Sequence, residues 1–321
     1  MVGLILLLQA LTIAVSGPPA SLEYLPIRVA AAEGYFDREG LAVTVRTTRA
    51  EVGAAEALAQ GQVDLAATSV EAVLRFGYRV VDRAPRLVFG LTAAPPVALL
   101  APTTGGVPVR KVADLEGLRV GLVAPGAPEH TWFGALLAKA GLKMTQVEVL
   151  SAGTRGLVGA IETGEMQAAM VEEPAASRLL AEGRASMVAD LRTPDAVRVA
   201  LGGITVNAAI FARSDRRPAE RDLAALARAL LAAERQIASA SPDALASRLN
   251  RTTVGIPEEF DAKLQTVRGL YLADGAVTTD QLRDTISMIR AHLPLPAILR
   301  VPRAEDMLYL APVKRAVPAR K

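Results

Sequence analysis

Few residues of this 321-residue sequence are of the types that carry out catalysis or bind metal ions. The chain has no cysteine and two histidines, His130 and His292. It therefore offers no disulfide, no iron–sulfur ligation, no cysteine nucleophile and no His-rich metal site. The motif GxSxG of serine hydrolases and the motif GxxxxGK[ST] of phosphate-binding loops are both absent, and residues 118–126 contain no GxGxxG. We predict no catalytic residue, no metal and no cofactor.

Side chains suited to binding a small molecule lie in loops that follow predicted strands. In open parallel sheets, ligands bind at the carboxyl ends of the strands, where such loops meet. The loops that follow strands are 16–24, 68–71, 124–132, 151–154 and 172–174.

Each candidate in these loops also has a purely structural interpretation. Ser21 and Ser69 are typical helix caps, and Tyr24 and Trp132 could pack in the core. His130 could be a solvated residue in the first turn of a helix. Glu173 could stabilise a helix N-terminus through its dipole.

The loop that ends at Trp132 is poorly suited to an anion. A helix N-terminus favours anions, but Pro128 removes a backbone donor, and Glu129 and Glu173 add negative charge. We therefore expect a neutral, zwitterionic or partly cationic ligand, with Glu173 or Glu129 accepting a hydrogen bond from it.

Strand-length apolar runs alternate with helical patterns, which is typical of an α/β chain with parallel sheets flanked by helices. The predicted strands are 11–15, 41–47, 63–68, 86–91, 118–123, 146–150, 167–171 and 186–191. The predicted helices between them are 24–36, 51–60, 69–79, 130–140, 154–163 and 174–182. After an extended segment at 202–211, four more helices are predicted, near 218–239, 242, 257–271 and 278–293.

The order of these elements repeats once. The pattern Ala57-Leu58-x-x-Gly61-x-Val63-Asp64 returns about 100 residues later as Ala160-Ile161-x-x-Gly164-x-Met166-Gln167, and Gly40-Leu41 returns as Gly141-Leu142. The repeat predicts two lobes of similar architecture, and the natural binding site of such a pair is the cleft between them.

Charge excludes a nucleic-acid-binding surface. The formal net charge is +3. The last eight residues contain four basic residues and no acidic one, namely Lys314, Arg315, Arg320 and Lys321, so the rest of the chain is slightly acidic. We therefore interpret the basic character as that of a C-terminal tail, 301–321, and predict no nucleic-acid partner.

The first residues combine two interpretations. The apolar run 2–15 is shorter than the roughly 20 residues that span a bilayer. We interpret 1–10 as the remnant of a signal peptide that lacks its basic start, and Leu11–Val15 as the first mature strand. A signal peptide predicts a periplasmic or other extracytoplasmic location, and no cysteine follows that could carry a lipid anchor.

Several segments resemble one family. Tyr24-Leu25-Pro26-x-x-x-Ala30-x-x-x-Gly34-Tyr35-Phe36-x-x-Glu39-Gly40-Leu41-x-Val43 is similar to the opening of the solute-binding proteins of ABC importers for nitrate, sulfonates, taurine and thiamine-pyrimidine precursors. Gly61-x-x-Asp64, Asp114-Leu115-x-Gly117-x-x-Val120-Gly121, Glu173-Pro174 and 207–213 match later motifs of this family.

The resemblance implies a two-lobed type II periplasmic-binding-protein-like fold, in which each lobe is a mostly parallel sheet flanked by helices and two crossover strands join the lobes. Lobe 1 would comprise 11–95 and 204–300, and lobe 2 would comprise 96–203. The ligand-binding residues that we predict are Ser21, Tyr24, Thr68, Ser69, Gly126, Ala127, His130, Thr131, Trp132, Glu173 and Asn207.

The implied function is capture of a small molecule by hinge closure of a monomer, followed by delivery to the permease subunits and ATPase of an ABC importer. One alternative is a cofactor-free enzyme on the same fold, a lyase or an enzyme like a pyrimidine-precursor synthase, with Glu173, His130 and Tyr24 as acid–base candidates. The branch of the fold that makes the thiamine pyrimidine uses a cysteine motif, which this chain lacks. Another alternative is a cytoplasmic sensor module.

Overall fold

A computed structural model describes residues 10–48, 50, 52–76, 80–105, 107–123, 128–293, 295 and 300–317. The predicted signal-peptide remnant, apart from Ala10, lies outside the described residues, as do Gly126 and Ala127. The described strands are β1 (Leu11–Val15), β2 (Val43–Thr47), β3 (Leu65–Ser69), β4 (Pro85–Thr92), β5 (Val97–Pro102), β6 (Arg119–Leu122), β7 (Glu148–Ser151), β8 (Ala168–Glu172), β9 (Ala185–Asp190) and β10 (Ala208–Arg213).

The described helices lie between and after these strands. They are α1 (Leu25–Ala32), α2 (Tyr35–Arg38), α3 (Gly53–Ala59), α4 (Val70–Phe76), α5 (Glu129–Lys139), α6 (Gly153–Thr163), α7 (Ala175–Ala181), α8 (Pro194–Leu201), α9 (Glu220–Ser239), α10 (Pro242–Arg248), α11 (Arg251–Val254), α12 (Pro257–Val267), α13 (Thr279–His292), α14 (Ala304–Met307) and α15 (Ala311–Ala316).

The strands form two five-stranded sheets with the same internal order. The first sheet runs β2-β1-β3-β10-β4 and the second runs β7-β6-β8-β5-β9. In each sheet the first three strands are parallel, and the fourth pairs antiparallel with both of its neighbours. The predicted α/β fold class is confirmed, with two mixed sheets flanked by helices.

The exchanged strands β5 and β10 connect the two sheets. The chain leaves the first sheet after β4 and enters the second through β5, and it returns from β9 to the first sheet through β10. β5 follows the strands of the first sheet along the chain but pairs in the second sheet, and β10 follows the strands of the second sheet but pairs in the first. Both run antiparallel to their neighbours, because the chain crosses from one sheet to the other at these strands. The internal repeat of the sequence is thus visible in β1–β4 and β6–β9.

Glycines mark equivalent turns in the two repeats. Gly61 and Gly164 end the helices before β3 and β8 with φ of 73° and 70°. Gly40 and Gly141 precede β2 and β7 with φ of 72° and 79°. A residue with a Cβ is disfavoured at such positive φ, which explains why these glycines recur at the same places.

The core forms on both faces of the sheets. The run LTIAV of β1 is rich in residues that favour strands, and Ile13, Ala14 and Val15 are fully buried in the middle of the first sheet. The long helix α9 buries Leu223, Leu226 and Leu230, and it packs against α1 and α15. No helix among the described residues is long and apolar enough to cross a membrane.

The last described residues pack against the first sheet. The backbone N–H of Tyr309 donates a 2.9 Å hydrogen bond to Leu87 O in β4. Met307 and Val313 are both buried, at 0% and 1% exposure. The helices α14 and α15 therefore belong to the packed structure around β4 and α9.

Candidate functional site

A cavity of about 410 Å³ lies between the two sheets, where strands of both end. On the side of the first sheet, the cavity is lined by residues that follow β1 and by the end of β3. On the side of the second sheet, it is lined by residues that follow β6 and β7 and by the end of β8. Its lining residues are Gly17, Pro18, Glu23, Tyr24, Ser69, Pro95, Val97, Val123, Pro128, Glu129, Trp132, Thr154, Glu172 and Asn207. This is the position that the topology of two such sheets assigns to a ligand site.

A larger groove, of about 870 Å³, lies on the outside of the structure. It is lined by residues 274–279 and 308–317. All of these residues come from the C-terminal part of the chain, so the groove joins no strand ends and no second sheet. We therefore take the smaller cavity as the candidate site.

Three glutamates meet in this cavity from three different elements. Glu23 lies in a 3-10 turn after β1, Glu129 is the first residue of α5, and Glu172 is the last residue of β8. Among the described residues that line the cavity, none is basic. The described part of the lining is therefore acidic and contributes no counter-ion.

The surroundings hold protons on these carboxyl groups. Burial raises the pKa of Glu23 from 4.5 to about 7, and the nearby charge of Glu129 adds to the effect, while a hydrogen bond from Asn207 opposes it. Burial, followed by the charge of Glu172, raises the pKa of Glu129 from 4.5 to about 8. Burial and the charge of Glu23 also raise the pKa of Glu172. Like charges in a small desolvated space cannot all ionise.

Glu129 and Glu172 form a carboxyl–carboxylate pair. A hydrogen bond joins their side chains, and burial together with the repulsion between neighbouring carboxylates raises the pKa of both groups, so the pair shares a proton. Glu129 is 6% exposed, and its Oε2 atom has no hydrogen-bond partner among the described residues. The pair leaves one buried acceptor unsatisfied at the cavity.

Two aromatic rings and two polar side chains complete the site. Tyr24 and Trp132, at 2% and 4% exposure, line the cavity from opposite halves of the structure. The hydroxyl of Ser69 accepts a 3.1 Å hydrogen bond from Ala72 N and so caps α4. The Asn207 side chain lies between Glu23 and Thr92, whose hydroxyl accepts a hydrogen bond from it at 3.4 Å.

The structure brings together some of the predicted ligand-binding residues. Tyr24, Ser69, Trp132 and Asn207 line the cavity, and Thr131 lines a small space that adjoins it beside Glu71. The residues Ser21, Thr68, His130 and Glu173 do not line either space. Thr68 instead accepts a 2.8 Å hydrogen bond from the Ser16 hydroxyl inside the first sheet. The binding roles of all these residues, and of Gly126 and Ala127 outside the described residues, stay predictions.

Glu173 points away from the cavity into an ion pair. Its Oε1 atom lies 2.8 Å from Arg192 Nη1, and the same oxygen accepts a 2.8 Å hydrogen bond from the Ser177 hydroxyl. Its side chain is fully buried. Adjacent residues leaving a strand point to opposite sides, so Glu172 faces the cavity and Glu173 is held by Arg192.

Sequence reasoning missed Glu23, Glu172 and Thr154 as parts of the site. All three lie in or beside loops that follow strands, where the topology directs attention. The strand alternation of 168–172 is the signal that could have selected Glu172 over Glu173. Glu129, whose charge the sequence analysis takes as unfavourable to anions, lines the cavity.

The cavity does not have the form of a metal centre. No group of three or more His, Asp or Glu side chains suited to hold a metal ion exists among the described residues. Three carboxyl groups that share protons and line an open apolar space are instead arranged to accept hydrogen bonds from a ligand.

Comparison with solved structures shows the fold. A protein of Bordetella bronchiseptica matches with 23% identity and a TM-score of 0.69, covering 96% of each chain. The periplasmic aliphatic sulphonate binding protein SsuA of Escherichia coli matches with 17% identity and a TM-score of 0.72, covering 94% of this chain and 92% of SsuA. A Candida albicans protein described as having the generic periplasmic binding protein fold matches with 14% identity and a TM-score of 0.66, covering 94% of this chain and 96% of that one.

Comparison of sequences gives the family. No curated protein matches this chain. Residues 21–233, about two thirds of the chain, match the family described as NMT1/THI5 like. This span contains every lining residue of the cavity from Glu23 to Asn207. The chain is a member of the NMT1/THI5-like family.

Proposed function

We propose that this chain is the extracytoplasmic solute-binding component of an ABC importer. The observation that carries the proposal is the cavity between the two sheets, whose walls come from strand ends of both halves. A ligand in this position contacts both halves at once and so favours the conformation in which they approach each other. The fold that it shares with the sulphonate binding protein SsuA supports this function.

The boundaries of the two lobes follow from the two places where the chain crosses between the sheets. Lobe 1 comprises 11–95 and 204–300, and lobe 2 comprises 96–203, so the connections before β5 and before β10 act as the hinge. Closure presents both lobes together to the permease subunits, which work with an ATPase in importers of this kind. The chain acts as a monomer outside the cytoplasm.

The test is ligand-dependent compaction without turnover. Purified protein is mixed with a panel of small solutes and with a small-molecule extract, and the radius of gyration is measured by X-ray scattering. We expect at least one solute to reduce the radius of gyration and to be recovered chemically unchanged. A ligand at 100 times its dissociation constant also stabilises the fold by about 2.7 kcal/mol, which thermal unfolding detects.

Two variants make the test specific to the cavity. Trp132→Leu removes a wall of the cavity and is expected to abolish or weaken the compaction. Val199→Ala changes a side chain that is 83% exposed on α8 and is expected to leave it intact. The proposed function is contradicted if no solute and no extract reduces the radius of gyration. Conversion of the solute to a product also contradicts it.

A further inference from the structure

The acidic cavity specifies the charge of what it binds. Glu23, Glu129 and Glu172 line one space of about 410 Å³, and no described lining residue offers a positive charge to them. A buried charge without a partner is strongly unfavourable. A ligand that brings negative charge into this space adds to the repulsion, and a ligand that brings positive charge relieves it.

A second observation shows that the site lacks a donor. Glu129 is more than nine-tenths buried and lines the cavity, yet its Oε2 atom has no hydrogen-bond partner among the described residues. Leaving a buried acceptor unsatisfied costs about 1–3 kcal/mol. An N–H group of a ligand that donates to Glu129 Oε2 removes this cost.

The remaining walls indicate that the ligand has an organic body. Tyr24 and Trp132 present buried aromatic rings, and Pro18, Pro95 and Val97 add apolar surface. Aromatic faces attract cations by about 0.5–2 kcal/mol, and Trp does so most strongly. These walls, together with the lack of a metal-holding group among the described residues, favour an organic cation over a bare metal ion.

We infer that the ligand is a small organic cation, whose protonated amine, amidine or guanidine nitrogen donates hydrogen bonds to Glu23, Glu129 and Glu172 while its apolar body lies between Tyr24 and Trp132. This inference rests on the proposed solute-binding function and names the class of solute. It separates this chain from the SsuA proteins, whose sulfonate ligands carry the opposite charge at the recognised group.

The test compares small organic probes that differ in charge, most of which share a benzene ring. Binding of benzylamine, benzamidine and agmatine is measured by calorimetry at about pH 8, near the pKa of Glu129. Benzyl alcohol, benzoate and benzenesulfonate serve as matched neutral and anionic probes, and Zn²⁺ with EDTA reversal as the metal probe. We expect at least one organic cation to bind at least about tenfold more tightly than every neutral and anionic probe.

Matched variants assign the effect to the carboxyl groups. Glu172→Gln and Glu129→Gln keep the shape of the side chain and remove its charge, and each is expected to weaken cation binding at least about tenfold. Neither should weaken the binding of benzyl alcohol. Glu148→Gln removes an exposed acid of β7 and is expected to have no effect. Thermal unfolding confirms that each variant is folded.

The outcomes separate the two proposals. Preference for an anionic probe or for Zn²⁺, binding of none of the organic cations, or cation affinity that is unchanged in both Gln variants overturns the ligand class. A sulfonate that binds and compacts the protein overturns the ligand class and leaves the solute-binding function standing. If neither a solute nor the extract compacts the protein, the solute-binding function itself is contradicted.

Discussion

The carboxyl groups of Glu129 and Glu172 are hydrogen-bonded to each other at the cavity, one from the start of a helix and the other from the end of a strand. The pair shares a proton, and burial together with the charge of Glu172 raises the pKa of Glu129 to about 8. A pair that shares a proton carries less negative charge than two separate carboxylates. Because its pKa is raised, the Glu129 carboxyl also makes the stability of the protein depend on pH.

The first prediction concerns that pH dependence. Between pH 4.5 and about 8 the Glu129 carboxyl keeps its proton in the folded protein and loses it in the unfolded chain. The folded state then binds more protons, so the free energy of unfolding falls as the pH rises through this window. Below this pH window Glu129 makes the free energy of unfolding no lower, because its carboxyl is protonated in both states. Above the window its destabilising effect stays constant, because the carboxyl is ionised in both states. Each unit of pKa shift corresponds to about 1.4 kcal/mol.

Glu129→Gln removes the ionisation and keeps a donor toward Glu172. We expect the melting temperature of this variant to exceed that of the wild type by about 4 °C or more at about pH 9, and to match it at about pH 4. Glu148→Gln, at an exposed position of β7, serves as the control and should follow the wild type. Parallel pH profiles of Glu129→Gln and the wild type would show that Glu129 does not titrate as the cavity requires. The other groups that act on the pair, which stay in both proteins, are Glu23 and Glu71.

The second prediction uses Trp132 as a reporter. It is the one tryptophan of the sequence, it is 4% exposed, and it lines the cavity. A ligand that lies against the indole changes its emission, so fluorescence titration should give the same dissociation constant as calorimetry. Acrylamide should quench the emission weakly in the empty protein and more weakly when ligand is bound. Calorimetric binding with unchanged emission would place the ligand away from Trp132.

The architecture could be predicted from the sequence because the signals were local and repeated. Glycines with positive φ, such as Gly61 and Gly164, and apolar runs such as Leu11–Val15 identify the strand–helix units. β5 was not predicted as a strand, and α8 was also missed. Val97–Pro102 follows β4 after a four-residue gap and is buried among other strands, so its apolar residues show no alternation that would indicate a separate strand.

The site was harder to predict because its composition depends on side-chain direction. The loops after the strands were recognised, and Tyr24, Ser69, Trp132 and Asn207 do line the cavity. Sequence motifs favoured Glu173 over its neighbour Glu172, although only one of two adjacent residues can face the cleft. The partner that holds Glu173, Arg192, comes from the turn after β9, and this long-range contact leaves no local signal in the sequence.

The third prediction tests a close approach in the first half of the structure. Gly275 has φ of 66°, and its carbonyl accepts a 2.8 Å hydrogen bond from Gly90 N in β4. A Cβ at this position would overlap the ring of Phe89. We expect Gly275→Ala to lower the free energy of unfolding by about 2–4 kcal/mol, from backbone strain and overpacking together.

Gly141→Ala is the matched control for this clash. Gly141 has φ of 79°, but a Cβ there would meet nothing within 4 Å. Its substitution should cost about 1 kcal/mol, from the left-handed backbone alone. Chemical denaturation of both variants measures the difference. Equal losses would show that Phe89 yields to the added methyl group and that the packing against Gly275 is not tight.

The fourth prediction concerns the ion pair beside the cavity. Arg192 Nη1 lies 2.8 Å from the fully buried carboxylate of Glu173. Removing one partner of a buried pair costs about 3–5 kcal/mol, because the other charge stays buried. We expect a loss of this size in Arg192→Met, and we expect the double variant with Glu173→Gln to be more stable than Arg192→Met alone, since the stranded charge is gone. Arg198→Met, which breaks an exposed pair with Asp195, should cost less than about 1 kcal/mol. If the double variant is less stable than Arg192→Met, the loss comes from the arginine's packing or from its ion pair with Asp190, and not from the charge on Glu173.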